Sequence, residues 1–516
     1  MSSIVFSIPL VLLVISTCNA DRPSVEISTG TLIGTVEEFS SEFVDGTRTV
    51  HAYRGIPYAE PPVGDLRFAP PKPKTPWQGE YDASDFRTAC IQPDNPMIPV
   101  DKIQDEDCLH VSVYVPQPSN DKKSVMVWIH GGGLTYGSGT MLHDGTVLSA
   151  LNDVIIVTIN YRLGVFGFFS TGDDVASGNY GFLDQVEALR WVQQNIAAFG
   201  GDPDNVTIFG QSAGSISCHA HMLSEMSKGL FNRAILQSGT AIIKGFFNTD
   251  PVKSKRVAAG LGHVVGCEKD NTVDLLKCLR SLPAEEFLDA DDPSKGIIAN
   301  VTGMDDLMLP FLPNVDGIFL KEDPMVTAKS RPFNDVDLMI GTMADEGMVF
   351  IVGLFPEAED KSDITMNKTT YDGMYPHIIP EAKNDAVLSM LELLYVDWDH
   401  ADDDEANYVD AISQMAGDWM FVCPSDTVAR SHVEGVRTTY LYQMTHVPTN
   451  TLWPIETWKA NHGDDVSLVF GIPLFSEKQL ALGGDETSMF KYPISEEDVK
   501  MSLAVMKYWT NFAKTG

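Results

Sequence analysis

The sequence predicts an α/β protein built on one large, mostly parallel sheet with helices on both faces. Short apolar segments rich in β-branched residues recur along the 516-residue chain, and segments of helical periodicity lie between them. Apolar residues make up 44% and charged residues 21% of the chain, which is an ordinary globular composition. No internal repeat or low-complexity linker divides it. We therefore expect residues 21–516 to form a single domain.

Six segments have the pattern of strands that are covered on both faces, because they are nearly uninterrupted apolar runs. They are Val125–Ile129, Val154–Asn160, Val206–Phe209, Arg233–Gln237, Val336–Ile340 and Thr438–Met444. Between them, Asp184–Ala198 carries apolar residues on one helical face. Alternation of strands and helices favours a parallel sheet.

The first twenty residues predict export. Ile4–Ile15 is an apolar run of signal-peptide length, too short to span a bilayer, and small residues precede a cleavage point after Ala20. No later segment has the pattern of a transmembrane helix. We expect a secreted protein, and three sequons are candidate glycosylation sites on that route: Asn205, Asn300 and Asn367.

The charge of the chain excludes some partners. It has 71 acidic and 36 basic residues, a formal net charge of −35, and such a protein is repelled by nucleic acids and by anionic lipid surfaces. The most acidic stretch, Asp397–Asp410, lacks the glycine of an EF-hand loop, so it predicts a solvated helix face. We predict neither a metal nor an organic cofactor.

A candidate nucleophile lies in Gly210-Gln211-Ser212-Ala213-Gly214, which matches G-x-S-x-G. The strand Val206–Phe209 leads into this motif and the helix-compatible run Ser215–Leu223 follows it, as in the nucleophile elbow of the α/β-hydrolase fold. Two glycines allow a strained turn that exposes the serine hydroxyl, and the helix N-terminus favours developing negative charge. The motif predicts an α/β-hydrolase fold with Ser212 as the nucleophile.

A glycine-rich loop supplies a place for the negative charge that forms in acyl transfer. His130-Gly131-Gly132-Gly133 follows the strand Val125–Ile129 and has the HGGG form of an oxyanion loop. Its backbone N–H groups are unobstructed by side chains. We expect Ala213, the residue after the nucleophile, to donate the remaining N–H.

A serine nucleophile also needs a base and an acid that orients the base, in the chain order Ser, Asp or Glu, His. Glu346 follows the strand Val336–Ile340, and the adjacent Asp345 is an equal candidate by spacing. Among the histidines that follow, His446 lies just past a strand and His462 lies in a turn-like loop. Periodicity does not choose between these two.

From about Arg54 onward the chain resembles the type-B carboxylesterases, a family that also contains the cholinesterases. The resemblance rests on motifs in order along the chain: Tyr53–Ala59, Glu106–Leu109, the HGGG loop, Asn160–Arg162, Gly178–Pro203, the elbow, Asp345–Gly347, His462-Gly463 and Trp509–Gly516. It implies hydrolysis of a small-molecule carboxylic ester through an acyl-enzyme, without a cofactor.

The resemblance also assigns residues. It implies the catalytic triad Ser212, Glu346 and His462, with oxyanion donors at Gly132, Gly133 and Ala213. It implies two disulfides, Cys90–Cys108 and Cys267–Cys278, and two structural ion pairs, Arg54–Glu106 and Arg162–Asp184.

The chain departs from the cholinesterase branch where that branch binds choline. Residues 91–107 contain no tryptophan, Gln211 stands where most of the family has glutamate, and Val349 falls at an aromatic position. These changes remove cation–π surface and a carboxylate, so we expect a general carboxylesterase with little affinity for choline esters. The alternatives are cholinesterase or juvenile-hormone-esterase-like activity, since some insect juvenile hormone esterases share the glutamine elbow.

Three further expectations concern the end of the chain, the thiol of Cys218 and catalysis itself. Relatives continue beyond the counterpart of Gly516 with a cysteine that pairs with the counterpart of Cys423, so the chain resembles a C-terminally truncated one, and neither an anchor nor the oligomeric state is predicted. Cys218 is expected to be a buried thiol. Cholinesterase-like adhesion proteins resemble the same fold without a working triad, so a non-catalytic binding function is the competing class.

Overall fold

A computed structural model describes residues 22–95, 101–119, 121–140, 143–304, 309–329, 334–352, 363–379, 383–400, 406–449, 459–475 and 494–516. The predicted signal peptide lies outside the described residues.

Fourteen strands lie in these ranges. They are β1 (Ser24–Ile27), β2 (Gly30–Ile33), β3 (Thr35–Ser41), β4 (Val44–Pro57), β5 (Glu80–Asp82), β6 (Ala89–Cys90), β7 (Gln104–Asp105), β8 (His110–Gln117), β9 (Lys123–Ile129), β10 (Ile155–Ile159), β11 (Gly201–Gln211), β12 (Arg233–Gln237), β13 (Asp337–Met343) and β14 (Thr439–Met444).

Nine of these strands form one mixed sheet in the order β14-β13-β12-β11-β9-β10-β8-β4-β3. The six from β14 to β10 are mutually parallel, and they correspond to the six predicted strands. Strands β8, β4 and β3 are antiparallel. This antiparallel part was not predicted from apolar runs, because a strand such as β4 begins exposed and becomes fully buried only towards its end.

The described α-helices surround the sheet. They are α1 (Thr146–Asn152), α2 (Gly164–Phe168), α3 (Tyr180–Asn195), α4 (Ala213–Leu223), α5 (Pro251–Val264), α6 (Thr272–Ser281), α7 (Leu288–Asp291), α8 (Ile297–Thr302), α9 (Pro324–Thr327), α10 (Met348–Val352), α11 (Lys368–Ile378), α12 (Asp385–Tyr395), α13 (Val409–Gly417), α14 (Cys423–Val433), α15 (Asp464–Val469) and α16 (Glu496–Thr515). Within the described ranges, no helix combines the length and apolarity that a membrane span requires.

The two faces of the sheet pack against separate hydrophobic cores. All seven residues of β9 are buried, and their side chains alternate between the faces, as strand geometry dictates. Val125, Val127 and Ile129 join the core that includes residues of α3 and α4, whereas Met126 and Trp128 join the core that includes residues of α1, α15 and α16. The predicted coverage of both faces is therefore confirmed.

The prediction of a helix over Asp397–Asp410 is wrong for residues 397–400 and 406–408. Helix α12 ends at Tyr395, residues 397–400 form a turn, and the next described helix begins at Val409. The side chain of Asp397 accepts a hydrogen bond from the Asp399 N–H at 3.2 Å. Aspartate side chains compete for backbone N–H groups in this way and so favour turns over helix interiors. Residues 401–405 lie outside the description.

Both disulfides implied by the resemblance are present. Cys90 is bonded to Cys108 and Cys267 to Cys278, with Cα–Cα distances of 4.9 and 5.7 Å. Each closes a short loop outside the large sheet.

The implied ion pair between Arg54 and Glu106 is wrong. Arg54, on β4, donates to Glu37 at 2.7 Å and to Asp144 at 2.9 Å. Glu106 instead accepts from Arg67 Nε at 2.7 Å. Arg54 pairs locally because Glu37 lies on the adjacent strand β3 and Asp144 just before α1, which packs on β4.

The second implied ion pair, Arg162–Asp184, is confirmed and is fully buried. The guanidinium donates two hydrogen bonds of 2.7 Å to the carboxylate, and the two side chains are only 3% and 0% exposed. Asp184 lies on α3, so this pair ties α3 to the end of β10. Breaking one side of such a pair leaves an uncompensated buried charge.

We therefore expect Asp184→Asn to destabilise the protein by about 3 kcal/mol or more, since the Arg162 charge would remain buried. The matched control is Asp426→Asn, which breaks the exposed Asp426–Arg430 pair on α14 and is expected to cost less than about 1 kcal/mol. Thermal unfolding at one fixed scan rate compares the two variants with the wild type. Equal decreases in Tm would contradict the role given to the buried pair.

Candidate active site

The site is built around the turn at Ser212, which joins β11 to α4. Ser212 has φ 57° and ψ −124°, a backbone conformation that residues with a side chain rarely adopt. Its N–H donates to the Gln237 carbonyl on the neighbouring strand β12 at 2.8 Å, and its carbonyl accepts from Ile216 at 2.9 Å. The sheet on one side and the helix on the other therefore hold the strained residue in place.

The two glycines of the motif allow the turn to pack against the end of β9. A methyl group on Gly210 would lie 2.5 Å from the Ile129 carbonyl oxygen, and one on Gly214 would clash with the same atom. Any larger residue at either position would push the turn away from β9. This close approach also sets the distance between Ser212 and the glycine loop, because that loop begins directly after Ile129.

The loop at residues 130–134 lies against the Ser212 turn. A methyl group on Gly131 would lie 2.5 Å from the Gln211 carbonyl oxygen and 3.2 Å from Ser212 Cβ. Gly132 and Gly133 have φ values of 102° and 64°, which favour glycine. Ala213 is the first residue of α4, so its N–H belongs to the first turn, where helices lack intrahelical acceptors.

A buried acid and a buried imidazole come together beside this turn. His462 Nδ1 lies 2.6 Å from Glu346 Oε2, and the two side chains are 7% and 0% exposed. The second oxygen of Glu346 accepts a hydrogen bond from the Met343 N–H at 2.6 Å. In the tautomer whose Nδ1–H donates to this carboxylate, Nε2 is free of hydrogen and acts as a proton acceptor.

The other nitrogen of the imidazole faces the elbow. His462 Nε2 lies 3.1 Å from the side-chain amide nitrogen of Gln211, the residue immediately before Ser212. The structure thus places the buried imidazole and carboxylate against Gln211, directly before the half-buried and strained Ser212, at the carboxyl ends of β11 and β13. This arrangement has the elements of proton transfer from a hydroxyl to an imidazole.

The residues that competed with this pair have other partners. Asp345 accepts from the Ser413 hydroxyl on α13 and bridges by its backbone to the segment of His462, with its N–H 2.8 Å from the Ala460 carbonyl oxygen. His446 Nε2 lies 2.7 Å from Asp498 Oδ1, in the first turn of α16. Glu346 and His462 are therefore the acid and imidazole that the fold joins.

Asp465 is a further buried carboxylate near His462, and it was not predicted from the sequence. Asp465 is fully buried on α15 and accepts from the Gln237 amide at 2.8 Å, and Gln237 in turn accepts from the Trp509 indole at 3.0 Å. Burial raises the pKa of Asp465 to about 6, and the nearby negative charge of Glu346 adds to that effect. The only signal in the sequence was a pair of aspartates directly after His462-Gly463.

The remaining predicted residues lie outside this cluster. Asn205 is half-buried on β11, where its amide donates to Ser124 at 2.8 Å, whereas Asn300 on α8 and Asn367 before α11 are exposed. Cys218 is buried on α4, where burial raises its pKa well above the ordinary thiol value. Cys423 is exposed.

The large mixed sheet, the elbow and the helices on both faces define the class of α/β-hydrolase proteins. A sequence model described as the carboxylesterase family matches residues 21–516. The chain belongs to the carboxylesterase family.

Three relatives illustrate the range of that family. The chain is 38% identical to the pyrethroid hydrolase Ces2e of Rattus norvegicus over 90% of this chain and 78% of that protein. It is 35% identical to the acetylcholinesterase of Bungarus fasciatus over 98% of this chain and 81% of that protein. It is also 35% identical to neuroligin-3 of Mus musculus over 96% of this chain, and it spans 62% of the length of that relative.

The buried Asp465 generates a prediction about stability and pH. Because its folded pKa of about 6 lies above the ordinary 3.8, the folded protein binds more protons than the unfolded chain between these values. The wild type therefore loses stability as pH rises through this window. Asp465→Asn does not titrate, so its stability relative to the wild type should rise by on the order of 1 kcal/mol between pH 5 and pH 8.

Thermal unfolding of both proteins at pH 5 and pH 8 measures this effect. The Tm of the variant minus the Tm of the wild type is compared at the two pH values, because this difference cancels the effects of groups that titrate in both proteins. A Tm difference that is the same at both pH values would show that Asp465 does not titrate in this way.

Proposed function

We propose that this protein is a secreted serine esterase that hydrolyses carboxylic esters through an acyl-enzyme. Ser212 is the nucleophile, His462 the base and Glu346 the acid that orients the base. The observation that carries the proposal is the buried 2.6 Å contact between Glu346 and His462, with the other imidazole nitrogen directed at the elbow. Membership in the carboxylesterase family supports the same reaction.

In the first half of the proposed reaction, His462 Nε2 takes the proton of the Ser212 hydroxyl as the oxygen attacks the ester carbonyl. The resulting imidazolium is stabilised by the Glu346 carboxylate, and it then gives the proton to the leaving alcohol as the bond between acyl carbon and alcohol oxygen breaks. Water repeats the sequence on the acyl-serine, releasing the acid and restoring the hydroxyl.

The tetrahedral intermediates place a negative charge on the former carbonyl oxygen. The backbone N–H groups of Gly132, Gly133 and Ala213 are proposed to donate to that oxygen. Support comes from the packing of the glycine loop against the Ser212 turn and from the position of Ala213 at the start of α4. Donors held by the backbone need no reorganisation as the charge develops, which is why such sites accelerate acyl transfer.

The proposed substrates are small uncharged esters. Gln211 is 8% exposed and presents a neutral amide to the imidazole, where a glutamate would add a negative charge. Val349 supplies no ring face at the start of α10. A quaternary ammonium group would therefore lack both a counter-charge and an aromatic surface at these positions.

Export is part of the proposal. The apolar N-terminal segment, the two disulfides and the start of the family match at residue 21 support a secreted protein with one domain over residues 21–516. The exposed Asn300 and Asn367 are the proposed glycosylation sites. Asn205 is the weaker candidate because its amide is engaged in a strand.

The second candidate function is binding without catalysis, as in cholinesterase-like adhesion proteins. A protein of that kind has no need of a strained serine beside a buried acid–imidazole pair. An organophosphate reagent discriminates between the two functions, because it reacts with an activated serine and not with an ordinary one.

We expect Ser212→Ala and His462→Ala to reduce turnover of a nitrophenyl ester by about 10⁴-fold or more, since each removes a member of a unit that acts together. The purified wild type should also be labelled once by an organophosphate, at Ser212. Mass spectrometry of the labelled protein and steady-state kinetics provide the measurements.

His446→Ala is the matched control. His446 contacts Asp498 rather than the cluster, so this variant should keep turnover near the wild-type level, with at most a lower Tm. Loss of turnover in His446→Ala together with a folded and active His462→Ala would overturn the triad. A wild type that neither turns over esters nor reacts with the organophosphate would favour the binding function.

A separate prediction concerns substrate charge. We expect kcat/KM for acetylthiocholine to be lower than for an uncharged thioester of matched length. Gln211→Glu should raise the ratio of these two values by about fivefold, because a carboxylate 4 Å from a cation contributes about 1 kcal/mol even in a water-like dielectric.

Taking the ratio within each variant cancels any effect of the new carboxylate on His462. Both ratios are measured at low and at physiological ionic strength, because the net charge of −35 accelerates encounter with cations in a salt-dependent way. A wild-type preference for acetylthiocholine that survives added salt would contradict the assignment and favour a cholinesterase.

A further inference from the structure

A π-helical turn lies between α13 and α14, at Asp418–Val422. Turns of this kind are rare, widen the helix by one residue and occur frequently at functional sites. Here the turn carries Phe421, which is 5% exposed. Its position in the chain, 41 residues before His462, gave no hint of a role in the site.

The ring of Phe421 lies against the imidazole of His462. The two ring centroids are 4.4 Å apart and the ring planes differ by 34°. The ring of Phe350, on α10, stacks on the ring of Phe421, with 6.1 Å between the two centroids and an interplanar angle of 13°. The imidazole is therefore bounded by Glu346 at Nδ1, by Gln211 at Nε2 and by an aromatic ring against one face.

We propose that Phe421 is a positioning residue that stabilises the cationic form of His462 during acyl transfer. The inference rests on the proposed function, because the imidazole becomes a cation only when it holds the serine proton. The face of an aromatic ring attracts a cation within about 6 Å, and the attraction is larger at a desolvated site than at an exposed one. Phe421 and His462 are both buried.

A purely structural role for Phe421 predicts a different outcome. If the ring only fills space, replacing it with an apolar side chain of similar size lowers stability and leaves the pH dependence of catalysis unchanged. Phe350 offers the comparison within this chain. Among the ring contacts of the described residues, Phe350 pairs with Phe421 and not with His462.

The experiment compares Phe421→Leu with Phe350→Leu by measuring kcat and KM for a neutral nitrophenyl ester across pH. We expect kcat of Phe421→Leu to fall by about 3- to 30-fold with KM changed less than about twofold. The acid limb of its kcat/KM profile should move to lower pH by about half a pH unit or more, because the protonated base has lost a favourable contact. The charged groups around His462, Glu346 and Asp465, remain in both variants.

Phe350→Leu should keep the wild-type profile, and thermal unfolding reports the packing cost of each variant. If Phe421→Leu does not fold, Phe421→Met takes its place with the same expectation. An unchanged acid limb in an active Phe421 variant, or an equal change in the Phe350 variant, would overturn the inference and leave the esterase proposal intact. A wild type without ester turnover would overturn both.

Discussion

The close approach of the Ser212 turn to the end of β9 is the constraint on which the rest of the site depends. Glycine at positions 210 and 214 lets the turn pack against the Ile129 carbonyl. Gly131, two residues further along the chain, contacts the same turn at Gln211 and Ser212. Because these contacts are between backbones, they hold the serine and the glycine loop at a separation that side-chain motion does not alter. The positive φ of Ser212 is the strain that accompanies this packing.

The carboxylate and the imidazole of the site come from loops that are far apart in the chain. Glu346 follows β13, His462 precedes α15, and the two loops are joined through the backbone of Asp345 and Asn461. Burying a carboxylate and an imidazole that are hydrogen-bonded to each other costs less free energy than burying either group alone. The pair is therefore stable in an environment that excludes water. Burial away from water also raises the pKa of Asp465. Hydrogen bonds from Asp465 through Gln237 to Trp509 extend this polar network to α16.

In the proposed function, the chemistry of this site distinguishes it from one that binds a cationic substrate. A neutral Gln211 amide lies at the imidazole and an aliphatic Val349 at the start of α10, so neither position offers a counter-charge or an aromatic ring to a cation. The acidic surface of the protein, with its net charge of −35, is therefore separate from the binding energy at the site. Long-range attraction of this kind changes encounter rates, and it does not replace the contacts that a bound molecule makes at the site.

Local patterns in the sequence were sufficient for the six parallel strands, the elbow at Ser212 and the glycine loop, because each depends on residues next to one another in the chain. Contacts between distant segments were not accessible in this way. The choice between His446 and His462 came from resemblance, the partner of Arg54 was wrongly assigned, and the contact of Phe421 with His462 was unforeseen. Spacing along the chain does not specify which side chains meet across a sheet or between loops. That decision belongs to the tertiary structure, since packing and burial determine which polar groups must find each other.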